Sequence, residues 1–251
     1  LNSWSVSNVT NMSGMFSSAS NFNKSLSNWD VSNVTNMESM FGFATAYNQD
    51  ISNWNVSNVT NMKDMFRDTA FNQAIITQQV TVNGSTYIAW NVSNVTNLNG
   101  TFRGADEFDQ TLTKWNVSNV TDMGYCFSGA SKFGTSNGHI GNWNTSNVKN
   151  MESMFNSATS FDANISKKTI SDSSSYPTGV TSSYDAWDVS NVTSMYAMFA
   201  SSTVFYQEIR NWDVTSVTDF TYMFLGANAM NNPSGLYLSL IHISEPTRQD
   251  R

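Results

Sequence analysis

The chain has 251 residues, 12% of them charged, 13% aromatic, and carries a formal net charge of −7. So low a charge content with so many aromatics argues against disorder, and the acidic balance without a basic cluster argues against nucleic acid or an anionic membrane as partner. One cysteine, Cys126, excludes a disulfide framework and a cysteine-built metal site, and no apolar run reaches transmembrane length.

The eight tryptophans share one register: Trp4, Trp29, Trp54, Trp90, Trp115, Trp143, Trp187 and Trp212. Their spacings are 25, 25, 36, 25, 28, 44 and 25, so the unit is 25 residues with extra residues at three junctions. From Trp29 it reads WDVSNVTNMESMFGFATAYNQDISN, and a fixed period of this kind marks stacked repeats that bury a core only against one another.

Within a unit, Leu26, Trp29 and Val31 follow an LxxLxL pattern and alternate with polar residues, which predicts a short strand. Met37, Met40, Phe41 and Ala44 then fall at i, i+3, i+4 and i+7, which predicts a short helix. Thr35 or Asn36 is placed to cap it, and Thr35 with Glu38 fits a capping box. The fold expected is an α/β solenoid, leucine-rich-repeat-like and right-handed. It has one short parallel β-strand and one short helix per 25-residue repeat, in about eight coils.

The repeat body is expected over residues 1–237. Around Asn83-Gly84 the run QVTVNGSTYI predicts a hairpin, and the insert near 76–89 that contains it has a counterpart near 166–186. Both end alike, Tyr87-Ile88-Ala89-Trp90 against Tyr184-Asp185-Ala186-Trp187. Residues 238–251 leave the pattern, and LSLIHISEPTR reads as a translated sequencing adapter, a non-native tail. The chain opens on Leu1 within the pattern, so the lack of a signal peptide reads as truncation.

Candidate chemistry is sparse. His139 is the only histidine outside that tail and lies in a short insert, and Cys126 fills a methionine slot. Neither has a partner for nucleophilic catalysis, so no catalytic, metal or cofactor residue is expected. The polar feature that repeats is the position after each tryptophan: Asp30, Asn55, Asn91, Asn116, Asn144, Asp188 and Asp213. On a strand these would point away from the core as a ladder of amides and carboxylates. That row is the candidate ligand-binding surface, with the two inserts as the alternative site, and the competing reading is a solvated face whose Asn and Asp stabilise turns.

The string WDVSNVTNMxxMF, with FNxxLSNW before the next tryptophan, resembles the BspA-type leucine-rich-repeat surface proteins of bacteria. The resemblance implies an exported or cell-surface protein with adhesive members and supplies no catalytic residue. Leu98 and Thr101 in methionine slots and Lys149 in the threonine slot depart from the pattern. The expectation is a non-catalytic surface adhesin or binding module with a protein or glycan ligand, not nucleic acid and not membrane-inserted. A passive stalk is the alternative, and a polysaccharide-acting enzyme stands third.

Overall fold

The computed structural model describes residues 1, 3–134, 140–175 and 177–231. It corrects the expected architecture. Among these residues there is no α-helix, and no strand runs through the Trp-x-Val segments. Regular structure is limited to two antiparallel pairs and two 3-10 segments, Ser173–Ser175 and Asn228–Asn231. The pairs are β1 (Gln78–Val82) with β2 (Ser85–Ala89), and β3 (Lys168–Ile170) with β4 (Tyr184–Ala186). The leucine-rich-repeat solenoid is therefore not the form this sequence takes.

The stretch expected to be helical shows why. Met40, Gly42 and Ala44 donate their N–H groups three residues back, to Met37, Ser39 and Phe41. Between them, Met37, Ser39, Phe41 and Phe43 donate sideways to the carbonyls of Asn61, Lys63, Met65 and Arg67 in the next repeat. Half of the donors a helix would keep for itself are thus spent between repeats, and the rest close β-turns. Ser39 (φ 52°) and Phe43 (φ 61°) occupy the third position of such turns, where type II geometry demands a positive φ. The same two slots have positive φ in all eight repeats, from Gly14 and Ser18 to Tyr222 and Gly226. A residue there every four positions is incompatible with a right-handed helix.

The expected caps act differently too. Asn36 accepts the N–H of Glu38, two residues on, as an Asx turn. Thr35 donates to the Thr10 carbonyl, and Glu38 reaches Asn61 and Lys63 of the next repeat, so no capping box forms.

Successive repeats meet at one isolated parallel bridge each: Asn11, Asn36, Asn61, Asn97, Asp122, Asn150, Ser194 and Asp219 in turn. Three side-chain ladders reinforce this bridge and the sideways backbone bonds beside it. Each tryptophan indole N–H from Trp29 to Trp212 donates to a carbonyl of the preceding repeat at 2.9–3.3 Å. The Asn of the Asn-Val-Thr motif donates its Nδ2 to the carbonyl of a Ser one repeat back at 2.7–2.8 Å, at Asn33, Asn58, Asn94, Asn119 and Asn191, as does Asn147. The motif threonines donate Oγ to the previous repeat's carbonyl at 3.1–3.2 Å. At Lys149 the hydroxyl is missing, and its backbone N–H carries the step to Thr121.

The core lies between these ladders. Phe16, Phe41, Phe66, Phe102, Phe127, Phe155, Phe199 and Phe224 stack with ring centroids 5.5–5.8 Å apart. A second stack runs from Phe22 through Tyr47 and Phe71 to Phe205 at 5.8–6.4 Å. Trp54, Trp90, Trp115, Trp143 and Trp187 are fully buried beside them. Stacked aromatic pairs contribute about 0.5–1.5 kcal/mol beyond their area, so the regular aromatic slots supply what regular secondary structure does elsewhere.

Candidate ligand-binding face

The seven residues of the expected ladder share one local role. Asp30, Asn55, Asn91, Asn116, Asn144 and Asp188 each accept, on Oδ1, the N–H of the Ser two residues on, at 3.0–3.2 Å; Asp213 accepts from Thr215 at 3.1 Å. They form Asx turns that carry the chain around the Trp-x-Val corner, and so do not stand out from a sheet. Asp30 and Asp213 are exposed and the other five half-buried. The hydroxyl and N–H of Thr215 hold the Asp213 carboxyl below its ordinary value. Burial pushes Asp188 up, but the Ser190 N–H and hydroxyl and the Lys167 ammonium outweigh it and leave the carboxyl lowered. Lys167 bridges Asp188 at 3.4 Å and Asp185 at 3.7 Å, so the Asp188 carboxylate is paired from within the fold.

The two hairpins fold back onto this face. Both turn residues between β1 and β2, Asn83 (φ 50°) and Gly84 (φ 82°), have the positive φ that a type I′ turn requires. The Tyr87 hydroxyl donates to the Asn53 carbonyl at 2.5 Å, and Tyr184 makes the matching bond to the Asn142 carbonyl at 2.6 Å. The second insert reaches further, with Lys114 Nζ on the Ser174 carbonyl at 2.8 Å. Each hairpin is therefore a strap pinned to the repeat before it.

Under the first strap lies an open groove of about 530 Å³, walled by Asn28, Asp30, Asn55, Asn83, Thr86 and Tyr87 among others. It brings Asp30 and Asn55 together with the hairpin and leaves the other five ladder residues outside. Reading the sequence did not single out Asn28, and it placed Tyr87 only within the insert hairpin, the alternative to the ladder as a contact surface. The signal for Tyr87 was the Tyr-x-Ala-Trp ending common to both inserts.

The other chemical candidates are placed less usefully. Cys126 is buried, and burial raises its thiol well above the ordinary value, so it stays protonated. Among the described residues no three His, Cys, Asp or Glu side chains converge as a metal site, and no helix is long and apolar enough to cross a membrane. His139 and the tail 238–251 lie outside the described residues.

The family model described as "Mycoplasma protein of unknown function, DUF285" matches residues 1–83, 75–180 and 177–240. The chain belongs to that family, and it is a repeat-containing member. Comparison with curated proteins and with solved structures finds no match.

Proposed function

We propose that this chain is a non-catalytic binding module of a bacterial surface or secreted protein, akin to the BspA-type adhesins that its repeat motif resembles, and that it takes a protein or glycan ligand. The observation that carries the reading is the groove under β1–β2, where the repeat face and an insert meet. Polar side chains on three separate stretches of the chain converge there, and a pinned hairpin holds its shape, which is how ligand sites on repeat proteins are built.

The stalk reading has its own support, because each ladder residue already spends an oxygen on a turn. One experiment separates the two. The full chain is immobilised and exposed to a panel of matrix proteins and surface glycans, alongside a variant with residues 80–87 cut to a short turn. A binding module retains a ligand that the trimmed variant loses. A stalk retains nothing in either form.

A further inference from the structure

The geometry points to a neutral oligosaccharide as the occupant of the groove under β1–β2, an inference that rests on the binding-module reading above. The lining carries no lysine or arginine, so nothing in it compensates a phosphate, sulfate or uronate. Nor does it offer an apolar floor for a lipid or an amphipathic helix: Trp29 and Val31 are buried, and amides, hydroxyls and the Asp30 carboxylate outnumber Val82 and Tyr87 along the walls. A volume of about 530 Å³ falls in the range of small-ligand sites.

What remains is hydrogen-bonding capacity not used inside the fold. Asp30 spends Oδ1 on the Ser32 N–H and keeps Oδ2. Asn55 spends Oδ1 on Ser57 and keeps its Nδ2 donors. The acceptor of one repeat and the donor of the next thus line the same groove, each fixed by the Asx turn that holds its other end. A pair of adjacent sugar hydroxyls, each donor and acceptor at once, matches such a pair. Tyr87, its hydroxyl locked on the Asn53 carbonyl, offers a ring held in place as the wall against which a pyranose C–H face packs.

The test uses two near-isosteric substitutions that keep each Asx turn while inverting the free atom: Asp30→Asn turns the free acceptor into a donor, and Asn55→Asp does the reverse. The probes are cellohexaose, maltohexaose and chitohexaose, a heparin-derived hexasaccharide, and the matrix-protein panel, each titrated onto the full chain. Saturable binding of at least one neutral hexasaccharide is expected, weakened at least tenfold by either substitution with the melting temperature unchanged. The heparin fragment is expected to show no saturable binding. Preference for the heparin fragment, no neutral saccharide bound, or neutral binding indifferent to both substitutions overturns it. Matrix-protein binding that survives while saccharide binding is absent leaves the binding-module reading standing and removes only this inference; silence from every probe removes both.

Discussion

At the scale of single residues, position matters more than residue class. Tyr47 takes a slot that is Phe22 or Phe71 in neighbouring repeats, and its buried hydroxyl finds no hydrogen-bond partner among the described residues. An unpaired buried hydroxyl costs on the order of 1–3 kcal/mol, so Tyr47→Phe is expected to raise stability in denaturant unfolding by about 1 kcal/mol or more. Burial raises the Tyr47 hydroxyl above the ordinary value of 10.0. A raised folded-state value means a contribution complete below the unfolded value and lost as pH climbs past it. Above about pH 10 the wild-type chain should therefore lose stability that the Tyr47→Phe variant keeps. The Asn-Val-Thr asparagines make the opposite case, a polar residue fully used. Asn58→Ala removes a 2.7 Å bond to the Ser32 carbonyl and is expected to cost about 1 kcal/mol in the same measurement. In sequence these asparagines carry only the signature of the repeat, and the stacked geometry shows that Nδ2 is committed between repeats.

At the scale of the element, the apolar stripe Met37, Met40, Phe41, Ala44 was legible and its secondary structure was not. A helix and a run of turns with a four-residue rhythm bury the same residues, so hydrophobic periodicity does not separate them. The discriminating signal lay in the slots between: Gly14, Gly100, Gly104, Gly129 and Gly226 fill five of the sixteen positive-φ positions. Glycine costs about 1 kcal/mol inside a helix, and its recurrence at those two slots argued for turns. The same conformation predicts how the slots respond to substitution. Ser201 is exposed at φ 57°, so Ser201→Gly relieves left-handed strain and is expected to raise stability by about 1 kcal/mol. Gly104→Ala does the reverse at φ 63°, where an added Cβ also meets the Asp68 carboxylate, and should cost at least that much. If these were helix-interior positions both signs would reverse, since alanine and serine exceed glycine in helix propensity. The Asn83-Gly84 hairpin was readable because a type I′ turn needs the residues found there. Asp30 and Asn55 were legible only as two alternatives, an outward ladder or residues that stabilise turns, because they look the same in sequence in both cases.

At the scale of the whole molecule, stability comes from links between neighbours. Trp115 is buried to 1% exposure, stacks on Trp90 at 6.1 Å and donates to the Ile75 carbonyl at 2.9 Å. Trp115→Ala is expected to cost about 3–5 kcal/mol, measured by denaturant unfolding. A loss well under 1 kcal/mol would mean that the repeats do not meet through this residue. The period, the repeat junctions and the inward-facing aromatics were legible because the unit recurs eight times in register. The backbone path was not, because the same inward residues serve a strand-and-helix repeat and a turn-built one equally well.

Among the described residues each repeat is a series of turns bonded to the next, with no α-helix. Far-ultraviolet circular dichroism of the full chain tests it most directly. A turn-built chain gives a spectrum without the helical double minimum, together with a strong near-ultraviolet signal from the buried, stacked rings. A helical double minimum of the strength expected for one short helix in every repeat would contradict it.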